Sequence, residues 1–89
     1  MPENPNQNVP EIRIFPNPTK GLVFINIKYE NQDLVSYKVT DLNGRILIHS
    51  GNESVKDEFQ IDLNPYTSGI YLVEVIVGTK KRILKVIRE

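Results

Sequence analysis

Cysteine is missing from this sequence altogether, and that absence excludes several kinds of protein at once. Without a thiol the chain has no disulfide framework, no thiolate nucleophile and no cysteine-ligated metal. Long apolar runs are missing too, since a run such as Ile70 to Val73 is far shorter than the roughly 18 residues of a membrane-spanning helix. A polar segment follows Met1, so we expect no signal peptide in this stretch.

An excess of charge of either sign is also absent. Eleven Lys and Arg residues balance eleven Asp and Glu residues, and the formal net charge is zero. No bulk field then attracts nucleic acid or anionic lipid. The length of 89 residues is enough for one small domain, and the content of 39% hydrophobic and 25% charged residues is typical of a globular one.

The candidates for catalysis and metal binding are weak. The single histidine, His49, precedes Ser50 on a predicted strand, where adjacent side chains point to opposite faces. The stretch Asp41 to Gly44 lacks the glutamate that ends a calcium loop, because Asn52 stands at that position. The basic run Lys80 to Arg82 is weak evidence for a nucleic-acid surface, because the stretch Gly78 to Lys81 predicts a polar hairpin turn. We therefore expect no enzyme, no metal site and no cofactor.

Short β-type segments separated by turn residues fill the chain after its first eleven residues. Residues 1–11 are rich in proline and asparagine, which predicts an extended linker, and residues 12–89 form the predicted domain. The pattern predicts about seven strands: Ile12 to Phe15, Leu22 to Tyr29, Leu34 to Thr40, Arg45 to Ser50, Phe59 to Leu63, Ile70 to Val77 and Arg82 to Ile87. Their spacing favours an all-β, immunoglobulin-like antiparallel β-sandwich, with a small barrel as the alternative.

Three of these strands alternate apolar and polar residues cleanly enough to predict their buried faces. The predicted core residues are Val23, Ile25, Ile27 and Tyr29 in the second strand, Val35, Tyr37 and Val39 in the third, and Tyr71, Val73, Val75 and Val77 in the sixth.

The dipeptide Asn43-Gly44 predicts a two-residue type I′ hairpin, because both residues tolerate positive φ. Asp41 is expected to bind the turn backbone or to pair with Arg45. Counting outward from the turn pairs Leu42 with Arg45, Asp41 with Ile46, and Val39 with Ile48.

Three segments in this order resemble the type A C-terminal sorting domain of the bacterial type IX (Por) secretion system. They are Phe15 to Gly21, with the sequence Phe-Pro-Asn-Pro before a glycine; Val39 to Arg45, which contains Asp-x-x-Gly-Arg; and Ser68 to Val75, which contains Gly-x-Tyr. A basic and aliphatic ending, Lys85 to Glu89, follows them. The motif residues, to which we assign mainly structural roles, are Pro16, Asn17, Pro18, Gly21, Asp41, Asn43, Gly44, Arg45, Gly69 and Tyr71.

The resemblance implies a non-catalytic tail that directs a larger cargo protein from the periplasm across the outer membrane to the cell surface or medium. It implies recognition by an outer-membrane translocon, removal by a sortase-like cysteine protease, and a role for residues 1–11 as the tether to an absent cargo. We expect the translocon to recognise the last strand through Lys81, Arg82, Lys85, Val86, Ile87, Arg88 and Glu89. A homodimer formed through the terminal edge strand is a further alternative.

Two other functions remain at this stage. A carbohydrate-binding or adhesive module would need an exposed aromatic platform, for which Tyr66 and Phe24 are the candidates. A structural spacer would need no recognition surface at all.

Overall fold

The computed structural model describes residues 10–28, 34–50, 53–54 and 58–89. Within these residues the chain has eight strands: β1 Glu11–Phe15, β2 Leu22–Lys28, β3 Leu34–Thr40, β4 Ile46–His49, β5 Glu53–Ser54, β6 Glu58–Asp62, β7 Gly69–Val77 and β8 Lys80–Arg88. No helix occurs in the described part of the chain, so none there is long and apolar enough to cross a membrane. The prediction of an all-β fold is confirmed.

The strands form two antiparallel sheets. One has the order β1-β2-β6, and the other has the order β4-β3-β7-β8 with the short β5 also paired to β3. This confirms the predicted sandwich. β8 pairs with β7 along its whole length and is the last strand of its sheet.

The core lies between the sheets and is built from alternate residues, as the period of two predicts. The buried apolar residues are Ile12, Val23, Ile25, Ile27, Val35, Val39, Phe59, Ile61, Leu63, Tyr71, Val73, Val75, Val77 and Val86. Tyr37 is only half-buried and packs edge-on against Phe59, with ring centroids 5.6 Å apart. Tyr29, also predicted for the core, lies outside the described residues.

The turn between β3 and β4 differs from its prediction. Gly44 has φ +85°, but Asn43 does not have a positive φ, so the turn is not type I′. Instead the Gly44 N–H donates to the Asp41 carbonyl over 3.1 Å, and Thr40 pairs with Ile46 across a register shift.

The observed turn decides which of the predicted residue pairs of this hairpin are present. The pairs Asp41–Ile46 and Leu42–Arg45 are wrong because the turn contains more residues than a two-residue hairpin. The pair Val39–Ile48, which lies beyond the register shift, is confirmed.

The hairpin between β7 and β8 is tighter than the sequence suggested. Val77 pairs with Lys80, which leaves Gly78 and Thr79 alone in the turn. Gly78 takes φ +61°, a conformation that glycine adopts without the steric cost of a side chain. β8 therefore begins at Lys80 instead of Arg82, and the basic residues belong to the strand.

Candidate functional site

All three sequence motifs lie at one end of the sandwich. β1, β3, β6 and β8 all run toward that end, as the strand registers show. We call residues 15–22, 40–46, 62–71 and 85–89 the motif end. The chain enters the domain at the opposite end, where Glu11 pairs with Lys28.

The first motif binds the outer edge of β8 through four hydrogen bonds. The Asn17 side-chain amide donates to the Lys85 carbonyl over 2.7 Å, and its oxygen accepts from the Ile87 N–H at 2.9 Å. The Thr19 N–H donates to the Ile87 carbonyl, and the Thr19 carbonyl accepts from the Glu89 N–H, both over 2.8 Å. We call Asn17 and Thr19 the clamp, because together they occupy the edge of β8 from residue 85 to residue 89.

The clamp is anchored by the Thr19 hydroxyl, which is buried. Thr19 is 1% exposed, and its Oγ1 donates to the Leu22 carbonyl over 2.5 Å and accepts from the Gly21 N–H at 3.0 Å. Gly21 lies so close to Asn64 that an added Cβ would come within 2.0 Å of its side-chain oxygen. A side chain at residue 21 would therefore have to displace the exposed Asn64 amide, which donates to Asp62 over 2.8 Å.

The second and third motifs meet at one shallow polar pocket, which Asp41, Arg45, Tyr66 and Tyr71 help to line. The Tyr71 hydroxyl donates to the Thr67 carbonyl, which confirms that this inward-facing ring finds a partner for its hydroxyl. The Tyr66 ring lies 6.4 Å from the Tyr71 ring. The Tyr66 hydroxyl donates to the Leu47 carbonyl of β4 over 3.2 Å, which ties the β3–β4 hairpin to the loop before β7.

Asp41 organises the hairpin electrostatically. Its Oδ1 accepts from the N–H groups of Asn43 at 2.9 Å and Arg45 at 3.0 Å, and its Oδ2 lies 3.2 Å from the Arg45 Nε. The expected contacts of Asp41 with the turn backbone and with Arg45 are both confirmed. The hydrogen bond from the Arg45 backbone contributes most to lowering the pKa of Asp41 below its ordinary value of 3.8. The Arg45 guanidinium and the Asn43 N–H act in the same direction, against partial desolvation.

We expect the substitution Asp41→Asn to lower the thermal midpoint at neutral pH. A carboxyl whose pKa is lowered by folding stabilises the fold above its unfolded-state pKa, and that contribution disappears as the pH falls through the folded-state pKa. Asparagine keeps an acceptor oxygen but lacks the charge. The difference in midpoint between wild type and variant should therefore shrink as the pH falls below 3.8, and thermal unfolding followed at several pH values measures it. A difference independent of pH would contradict this account.

The predicted recognition residues are divided between the two faces of β8. Alternation with the buried Val86 places Arg82, Val86 and Arg88 on the inner face, and Lys81, Lys85 and Ile87 on the outer face. Val86 is 0% exposed and packs in the core. Arg88 donates through Nε to the Leu63 carbonyl over 3.3 Å and through a terminal nitrogen to the Glu89 carbonyl.

Sequence reasoning missed Ile83, which is 56% exposed on the outer face between Lys81 and Lys85. Counting back from Ile87 in steps of two, the period of a strand, would have placed Ile83 on the same face. On β7, Glu74 faces the same side and lies 3.8 Å from Lys81 and 3.6 Å from Lys38. The outer face thus combines exposed apolar side chains with an excess of lysine.

The aromatic candidates for a carbohydrate platform do not share a surface. Phe24 stacks on Phe15 with ring centroids 5.9 Å apart, whereas Tyr66 packs beside Tyr71 at the polar pocket. His49 is exposed on β4. Over the described ranges, no group of three or more His, Asp or Glu side chains is arranged to hold a metal ion.

Comparison with known proteins gives one family. A family model for the secretion system C-terminal sorting domain matches residues 13–89. The matched residues include the three motifs, the clamp and all of β8. No curated protein matches the sequence.

Proposed function

The chain belongs to the family of type IX secretion system C-terminal sorting domains, and we propose that it carries a cargo, fused before its first strand, through the periplasm and across the outer membrane. An outer-membrane translocon binds the folded domain, and a sortase-like cysteine protease then removes it. Its family is one of sorting signals and not of catalysts.

The observation that carries this proposal is the position of the motif end relative to the tether. The chain enters at Glu11, and the clamp, the polar pocket and the end of β8 lie at the other end of the strands. A cargo attached through residues 1–11 therefore leaves the motif end accessible to a partner. Proteolysis within residues 1–11 would release the cargo without removing a strand, since β1 begins at Glu11.

The recognition residues have different roles in this proposal. Lys81, Lys85 and Ile87 are exposed on the outer face and contact the translocon directly. Glu89 is exposed beside them, and Arg82 is exposed on the opposite face of β8. Val86 and Arg88 act by holding β8 against the core and against Leu63.

We expect the double substitution Lys81→Glu/Lys85→Glu to reduce export of a fused reporter about tenfold, because reversing charges at an interface replaces attraction with repulsion. The measurement is the amount of reporter in the medium or on the surface of a type IX-competent host, compared with the periplasm. The fold should survive, since both lysine side chains are exposed and Glu74 keeps Lys38 as an ion-pair partner at 3.6 Å.

The matched control is Arg13→Glu/Lys28→Glu, which makes the same charge change at two exposed basic residues of the other sheet, outside β8 and away from the motif end. This control should be exported like wild type. Equal export of both double variants would contradict recognition through β8. Moving the domain to the interior of the fusion should stop export, whereas a mere spacer would tolerate the move.

A further inference from the structure

The outer edge of β8 is occupied over only half of its length. The clamp binds the carbonyl of Lys85, both backbone groups of Ile87 and the N–H of Glu89. Backbone groups of alternate residues point to the same edge of a strand. The N–H and carbonyl groups of Lys81 and Ile83, and the N–H of Lys85, therefore point outward along the same edge, with no strand paired to them in the described part of the chain.

We call residues 80–85, where the outer edge of β8 is unpaired up to the Lys85 N–H, the open segment. This segment has the geometry of a strand that can bind another strand. Its register with β7 is continuous from Val77–Lys80 to Gly69–Arg88, without a bulge. It contains no proline, and the side chain of Ile83 is 56% exposed. A regular edge with an exposed apolar residue is a ready template for another strand, unless charge prevents it.

A second copy of the chain is a poor occupant of the open segment. Antiparallel pairing of two copies centred on Ile83 places each Lys81 opposite Lys85 of the other copy, and like charges directly opposite are destabilising. If the pairing of the two copies is centred on Arg82 instead, the Arg82 side chains of the two copies lie opposite each other, which is again a pair of like charges. The lysines thus act against self-association while leaving the backbone groups available.

The charges favour an acidic occupant instead. Lys80, Lys81, Arg82 and Lys85 give the open segment four positive charges, and Glu74 is an acidic side chain that pairs with one of them, Lys81. Building on the proposed function, we infer that the open segment binds an extended acidic segment of its protein partner by strand addition. The partner places carboxylates opposite Lys81 and Lys85 and an apolar side chain opposite Ile83.

The backbone part of this inference is tested by Ile83→Pro, with Ile83→Ala as its control. Proline removes the outward N–H of residue 83 but no hydrogen bond to β7, and edge strands tolerate proline at such positions. We expect Ile83→Pro to reduce export of the fused reporter about tenfold and Ile83→Ala to reduce it less. Both variants should keep a cooperative thermal transition, which shows that they fold. Wild-type export of a folded Ile83→Pro variant overturns strand addition, whereas failure of the wild-type domain to export the reporter overturns the proposed function itself.

The chemistry of the partner is tested on the isolated chain by NMR. The probes are two synthetic peptides, Ser-Glu-Thr-Val-Thr-Glu-Ser and Ser-Lys-Thr-Val-Thr-Lys-Ser, each with blocked ends. We expect the acidic peptide to bind at least fivefold more tightly, to protect the Ile83 amide from hydrogen exchange, and to lose affinity as salt is added. Equal binding of the two peptides, or protection of Ile83 by a concentration-dependent dimer without peptide, overturns the acidic assignment.

Discussion

Removal of residues 85–89 is expected to abolish cooperative unfolding of the domain together with export of its cargo. The truncation takes Val86, which is 0% exposed, out of the core, and burial of such a side chain contributes about 1.5–3 kcal/mol. It also removes the strand paired with the first residues of β7 and every β8 partner of the clamp. Because the free energy of unfolding of small domains is only about 5–15 kcal/mol, these losses together approach the total stability of the domain. Far-UV circular dichroism on heating measures the result.

Removal of Glu89 alone is the control for this truncation. It deletes the backbone hydrogen bond to Thr19, about 1 kcal/mol, and the exposed contact of Arg88 with the Glu89 carbonyl, and it leaves Val86 in place. The shorter deletion should unfold cooperatively a few degrees below the full chain. If the chain ending at Leu84 also unfolded cooperatively at nearly the wild-type temperature, β8 would not be integral to the fold.

The expected unfolding of the truncated domain limits what its loss of export can show. A truncation that unfolds the domain cannot separate recognition of β8 from the stability that β8 supplies. Substitutions on the outer face, such as those at Lys81, Lys85 and Ile83, separate the two because these side chains lie outside the core. The terminal strand is thus both a structural element and the proposed binding element.

The buried faces could be predicted from the sequence because they depend on a local pattern. Val23, Ile25 and Ile27 alternate with polar or partly exposed neighbours, and a period of two fixes their face once a strand forms. The same pattern gave the core residues of β7. The three motifs likewise predicted the family that the match over residues 13–89 shows.

The hairpin register could not be predicted from Asn43-Gly44 alone, because a side chain outside that pair decides the turn. Asp41 accepts hydrogen bonds from the N–H groups of Asn43 and Arg45, which favours a turn with Leu42 and Asn43 at its centre. Gly44 then takes the positive φ by itself. Competition between two turns that the same residues allow is settled by such local hydrogen bonds.

The hydrogen bonds of the clamp could not be predicted from the sequence, for a different reason. Asn17 lies 68 residues from Lys85 and 70 from Ile87 in the chain, and only the packing of the two sheets brings them together. No local pattern encodes a contact at that separation. The sequence predicts a mainly structural role for the first motif, and its hydrogen bonds to the last strand appear only in three dimensions.

Thr19→Val is expected to destabilise the domain by about 2–4 kcal/mol, since it leaves two backbone groups, the Leu22 carbonyl and the Gly21 N–H, without their hydroxyl partner in a buried site. Valine matches threonine in shape, so packing is nearly unchanged. A loss of this size lowers the thermal midpoint by about 10–20 °C in a domain of this length. It should also loosen the clamp, so the amides of Ile87 and Glu89, which donate to Asn17 and Thr19, should exchange faster with solvent.

Thr19→Ser is the matched control, because serine keeps the hydroxyl and lacks only the methyl group. It should cost about 1 kcal/mol, in line with the loss of one buried carbon, and leave the exchange of the Ile87 and Glu89 amides close to wild type. If serine destabilised the domain as much as valine, the methyl group and not the hydroxyl would be what Thr19 contributes. If valine alone is costly, the clamp depends on one buried hydroxyl, and the first motif contributes to sorting by holding the end of β8 in place.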